Sequence, residues 1–150
     1  MRITRWRGNN DDVDTDRLVQ EFIARTLPKT EWTHHAHLRV GLWHALRYPD
    51  DVTLKLLRER IRAYNEATGV ANTSSTGYHE TITRFYVGVI RHFVSSIDPS
   101  RPVNELAQEL IARCGARDLP LRHYSRERLF SVLARREWVE PDLKPLPAGD

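Results

Sequence analysis

From Leu18 to Leu133 the apolar residues recur at separations of three and four rather than two, the period of helices buried along one side. Leu18, Val19, Phe22, Ile23 and Thr26 make the first stripe. The acidic run Asp11-Asp12-Val13-Asp14-Thr15-Asp16 ahead of it suits the unpaired amides of a helix N-terminus, and Pro28 closes the element. A second helix opens near Thr30 or Thr33 and ends before Pro49. On it Leu38, Leu42 and Ala45 share a face edged by His34 and His35, while His37, His44 and Tyr48 line an adjacent strip. The third runs from Asp50 or Asp51 to Gly69 and carries Leu54, Leu57, Ile61 and Tyr64. The fourth is predicted to be capped by Thr76 and to reach about Ser95. Its broad face holds Tyr78, His79, Ile82, Phe85, Tyr86, Val89 and Phe93, with Glu80, Arg84, Gly88 and Arg91 opposite. Pro102 opens a fifth, with Val103, Leu106, Ala107, Leu110, Ile111 and Cys114 as its stripe and Gly115 as its end. A sixth starts near Ser125 and carries Leu129, Phe130, Val132 and Leu133.

The pattern predicts an all-α chain, a single compact bundle-like domain of five to six helices over residues 1–150. Residues 1–10 form an N-terminal arm, and 138–150, with Pro141, Pro145 and Pro147, an extended C-terminal tail. A length of 150 residues suits one hydrophobic core, and 40% hydrophobic with 29% charged residues is an ordinary globular balance. The single Cys114 excludes an internal disulfide and a cysteine-built zinc module, and its apolar neighbours point to packing. No apolar run has the length of a membrane span, and Met1-Arg2-Ile3-Thr4-Arg5-Trp6 lacks the centre of a signal peptide, so a cytoplasmic location without membrane contact is expected. Although the pI is near 9.3, the net charge is only +3, too little to indicate nucleic acid as a partner. Only Lys29, Lys55 and Lys144 among the 23 basic residues are lysine, a bias that G+C-rich coding also produces.

The chemistry-bearing residues gather between Trp32 and Thr83, where five of the seven histidines lie. His34 and His37 stand three apart on a helix, a separation at which two imidazoles can approach one ion, and His79 opens another helix. If the second and fourth helices cross, the three form a metal site for a divalent ion, zinc or iron, with a position left for water or substrate. Glu80 and Tyr78 are the candidate proton-transfer residues beside it. His44 is a candidate supporting residue, as are Thr33, Asn72 and Thr73, although capping and turn formation also explain the last three. Glu80 also stands four residues from Arg84, the spacing of an ordinary ion pair, and core histidines are the competing explanation for the whole set.

Trp32-Thr33-His34-His35-Ala36-His37-Leu38, followed by Asn72-Thr73 and Gly77-Tyr78-His79-Glu80-Thr81, resembles a pattern of small bacterial helical proteins without an established activity. It covers about residues 32–84, and it implies no reaction and no residue role. Three functional expectations therefore stand side by side. One is a metal-dependent enzyme, hydrolytic or lyase-like with zinc or oxidative with iron, acting on a small molecule, with an anionic one among the options. The second is a helical module that binds a ligand or forms a homo-oligomer without catalysis; a cavity lined by the histidines, rather than a filled core, would favour a pocket. The third is nucleic-acid binding through Arg113, Arg117, Arg122, Arg126, Arg128, Arg135 and Arg136.

Overall fold

The computed structural model describes residues 13–146, so the arm and the last four residues of the predicted tail lie outside the described residues. Among the described residues seven α-helices follow one another: α1 Thr15–Ala24, α2 His34–Arg47, α3 Asp50–Ala67, α4 Glu80–Val94, α5 Val103–Cys114, α6 Arg126–Leu129 and α7 Val132–Arg136. Short 3-10 turns at Lys29–Glu31 and Leu119–Arg122 shape two of the connections, and there is no strand among the described residues. The first helix begins where Asp14 accepts the Arg17 amide, and it ends at Arg25 in the left-handed conformation, φ 66°. Thr33 caps α2 by accepting the Ala36 amide.

Helix α2 is central, as its scarcity of polar surface predicts. It packs against α1, α3, α4 and α5, and every residue from Leu38 to His44 is buried. Gly41 permits the close approach to α4, since a Cβ there would lie 2.7 Å from the Ile90 Cδ1. Three buried clusters make up the interior. Leu18, Val19, Phe22, Leu27, Ala36, Val40, Trp43, Leu57 and Tyr64 join α1, α2 and α3. Leu38, Leu42, Ile90, Phe93, Leu106 and Leu110 join α2, α4 and α5. Phe85, Val89, Tyr124, Leu129, Ala134 and Val139 fasten the C-terminal segment onto α4.

Two predicted boundaries are corrected. The fourth helix starts at Glu80, not at Thr76, because the His79 Nδ1 accepts the Ile82 amide at 3.1 Å and so serves as the N-cap. Thr76 instead closes a tight loop in which Thr73 Oγ1 accepts the Ser75 and Thr76 amides. The expected sixth helix is two short ones, because Ser131 accepts the Ala134 amide and restarts the chain in a new direction. That break leaves Phe130, Val132 and Leu133 more than half exposed, where one continuous stripe would have buried them. Among the described residues beyond α7, Thr81 Oγ1 donates to the Glu137 carbonyl and receives the Val139 amide, and Tyr124 donates to the Val139 carbonyl, which ties this segment to α4.

Candidate functional site

Between α2, α3 and α4 lies an open cavity of about 430 Å³. Close-packed interiors leave few voids much larger than a water molecule, and this volume falls within the about 300–1,000 Å³ of small-molecule pockets. Its walls are mostly apolar. Leu38, Val40 and Gly41 come from α2, Leu57 and Ile61 from α3, and Ile82, Val87 and Ile90 from α4. Trp32 flanks them, held between two aromatic neighbours: its ring stacks on Phe22 at 4.6 Å and on His37 at 3.7 Å between centroids.

The polar lining comprises Thr33, His34, His37, Thr83, Tyr86 and Arg117. His37 donates through Nδ1 to the Thr33 carbonyl at 2.7 Å, which fixes the ring against Trp32. His34 and Tyr86 meet edge to face, 5.8 Å between ring centroids. The His34 Nε2 and the Tyr86 hydroxyl are both buried and have no hydrogen-bond partner. Such orphaned groups cost about 1–3 kcal/mol each when nothing satisfies them, and they commonly mark a place where water or a ligand enters. Burial lowers the His34 pKa below the ordinary imidazole value, and the charges of His35 and Arg117 push the same way, against a smaller opposing contribution from the Gly115 backbone. His34 is therefore neutral near pH 7. Arg117 is exposed and has no hydrogen-bond or ion-pair partner among the described residues.

The other predicted site residues lie elsewhere and are already engaged. His79 does not line the cavity: its Nδ1 caps α4, and its Nε2 bonds the Leu129 carbonyl of α6 at 2.8 Å. The crossing of α2 with α4 thus brings Tyr86, about two turns further along α4, to His34 instead of His79. Glu80 faces inward, contrary to its expected outward face, because as the first residue of α4 it turns towards α3. Arg58 grips it through Nε at 3.0 Å and Nη2 at 2.7 Å, so the expected ion pair with Arg84 is replaced by one with Arg58. The Tyr78 hydroxyl donates to the same carboxylate at 2.8 Å. Burial pushes the Glu80 carboxyl up, but the hydrogen bonds from Arg58 and Tyr78 more than offset it and hold the pKa below the ordinary value.

His44 is fully buried, donating to the Val40 carbonyl and accepting from Arg60, and it does not reach the cavity. Asn72 and Thr73 organise the loop before α4. Among the described residues no group of three or more His, Cys, Asp or Glu comes together that could hold a metal ion. His34 and His37 do share the cavity, as their spacing predicts; Tyr86 and Arg117 complete its polar end. The composition and spacing of the histidines made those two legible, whereas Arg117 stood only as one of many arginines. No protein-family model, no curated protein and no solved structure matches this chain.

Proposed function

We propose that this protein binds a small, mainly apolar molecule with an acidic end in the cavity between α2, α3 and α4. The observation that carries the reading is the pair of orphaned polar atoms on His34 and Tyr86, with Arg117 lining the same mostly apolar cavity. The apolar body of the ligand would replace water against Leu38, Val40, Ile61, Ile82 and Ile90, which supplies the driving force. Its carboxylate would pair with Arg117 and accept from the Tyr86 hydroxyl, removing the penalty of the orphaned donor. Neutral His34 adds a further hydrogen bond, as donor or acceptor according to tautomer. A binding role accounts for the site without a nucleophile or a proton-transfer pair, since Glu80 and Tyr78 are bound to each other away from the cavity lining.

The test uses a matched pair of probes, 2-naphthoate and 2-naphthylmethanol, titrated calorimetrically into the protein. Naphthoate is expected to bind more tightly than the alcohol, and Arg117→Ala to remove most of that preference, a loss of about tenfold for one charge-assisted contact. Val87→Phe, which fills the cavity, should weaken both probes. Elemental analysis of the same protein separates the metal-dependent expectation, for which a stoichiometric transition metal lost in His34→Ala would be required. Equal affinity for acid and alcohol in wild type, or no saturable binding of either, would sink the acidic-ligand reading.

A further inference from the structure

A second cleft, of about 300 Å³, lies where α3, the loop before α4 and α7 meet and is lined by Arg62, Arg135, Arg136, Tyr78 and the loop residues Asn72 to Ser74. Three guanidinium groups from two elements distant in sequence converge here. None of the three has a carboxylate within ion-pair distance among the described residues, although Arg58, one turn from Arg62 on the same helix, pairs with Glu80. Uncompensated like charges repel one another, and such an arrangement is favourable when an anion occupies the space between them.

The protein holds the cations in place by contacts that do not neutralise them. Arg135 Nη1 donates to the Gly77 carbonyl at 2.8 Å and to the Tyr78 carbonyl at 3.3 Å. The Arg62 guanidinium lies 4.9 Å from the centre of the Tyr78 ring, and that ring is buried and anchored through its hydroxyl to Glu80. The Arg136 side chain makes no hydrogen bond and no ion pair among the described residues, so its charge is uncommitted.

The facing wall is equally set. Asn72 Oδ1 accepts the Tyr78 amide and the Asn65 side-chain amide, both at 3.0 Å, while Asn72 Nδ2 donates to the Arg62 carbonyl at 3.2 Å. One side chain therefore ties the loop to the helix that carries Arg62. Ser74, at the lip of the cleft, has an exposed hydroxyl and an amide that no group among the described residues engages.

We infer that this cleft binds the dianionic phosphate group of a small phosphate monoester, held by Arg62, Arg135 and Arg136 on one side and by Ser74 on the other. Guanidinium groups match phosphate oxygens in geometry and charge, and a tetrahedral dianion offers acceptors in the several directions from which these donors come. The volume exceeds what a phosphate ion alone would fill, leaving room for a small organic residue beside Tyr78. The site is distinct in residues and in chemistry from the apolar cavity, and it stands or falls independently of the proposal made for that cavity.

The experiment is calorimetric titration of the full chain with phenyl phosphate, phenyl sulfate, inorganic phosphate and a decauridine RNA. The expected result is saturable binding of phenyl phosphate, tighter than that of the singly charged sulfate and of inorganic phosphate. It should fall about tenfold in Arg136→Ala and in Arg62→Ala and stay unchanged in Arg126→Ala, which removes one charge outside the cleft. The Arg136 side chain is exposed and has no hydrogen bond or ion pair to lose among the described residues, so Arg136→Ala is the milder test of the site, and a melting curve on each variant checks its folding. Absence of phenyl phosphate binding would overturn the inference. So would an equal loss in Arg126→Ala, which would mean bulk charge alone, or tight RNA binding without phosphate-ester binding, which would mark a nucleic-acid surface.

Discussion

At the scale of single residues, the histidines divide by what surrounds them. His44 donates through Nδ1 to the Val40 carbonyl and accepts from Arg60 at Nε2, an arrangement that only the neutral ring can make. Burial drives its pKa down from 6.5 to about 4, with the charges of Arg60 and Arg47 adding to the effect against the Val40 hydrogen bond. The unfolded chain takes up this proton near 6.5, whereas the folded protein resists it until about 4. The contribution of the neutral ring is therefore complete above pH 6.5, is lost progressively as pH falls to about 4, and changes no further below that. At about 1.4 kcal/mol per pH unit the loss from this residue is of the order of 3 kcal/mol. Urea unfolding at pH 7 and pH 5 should show the decline, with a shallower one in His44→Gln despite a lower starting stability. An identical pH dependence in the two proteins would remove His44 as the cause. Cys114 behaves as its apolar stripe predicts: it is half-buried, and burial raises its pKa, so the reactive thiolate is disfavoured near neutral pH.

At the scale of elements, the turns decided more than the stripes. The loop between α3 and α4 depends on Gly77, whose φ is +79° and where a Cβ would lie 2.4 Å from the Ala71 carbonyl oxygen and 2.6 Å from Asn72 Oδ1. Gly69 has a similar φ of +86° but opens onto empty space. The two glycines make a controlled comparison. Gly69→Ala should cost about 1 kcal/mol for the left-handed conformation alone, whereas Gly77→Ala adds a collision with backbone and should cost about 2–4 kcal/mol. Equal melting-temperature losses in the two variants would show that the Gly77 loop yields more readily than its contacts suggest. The five long helices were legible because each combines a stripe with a boundary signal, such as Thr33 or Pro102. The start of α4 was not, because histidine is an uncommon cap and Thr76 offered a more ordinary one. Glu80 lies inward for a different reason: α3 packs against the start of α4 and brings Arg58 to the carboxylate, a tertiary contact that helical phase does not contain. His34 and His37 were legible as a pair from their spacing, but nothing local to either sequence stretch announces that Arg62 and Arg136 face one cleft. That juxtaposition exists only once α7 has docked against α4.

At the scale of the whole molecule, the segment after α7 is a strap rather than a loose tail. Val139 is 6% exposed, its amide and the Glu137 carbonyl are both satisfied by Thr81, and its own carbonyl accepts from the buried Tyr124 hydroxyl. Replacing Thr81 with Val keeps the shape and removes both hydrogen bonds, leaving two backbone groups unpaired at about 1–3 kcal/mol each. Hydrogen exchange should then accelerate at residues 137–139 and along α7, while amides of α1 and α2 keep their protection. Uniform acceleration throughout the protein would mean that the strap is inseparable from the rest. No helix among the described residues is long and apolar enough to cross a membrane; the exposed Phe130 caps the end of α6 and the exposed Leu133 lies in the short α7.

The division of the interior also has a consequence for the order of events during synthesis. The first buried cluster draws its fully buried members from Leu18 to Tyr64, so it can assemble as soon as α3 has emerged. The third needs Tyr124, Leu129, Ala134 and Val139, which the ribosome releases much later. Until then the part of α4 that carries Phe85 and Val89 lacks its C-terminal partners. The apolar cavity takes most of its wall from α2, α3 and α4, whereas the basic cleft is completed late, because Arg135 and Arg136 arrive with α7. A nascent chain released as far as α4 would thus already possess most of the apolar wall, and it would acquire the full positive charge of its second cleft only when the last helix came home.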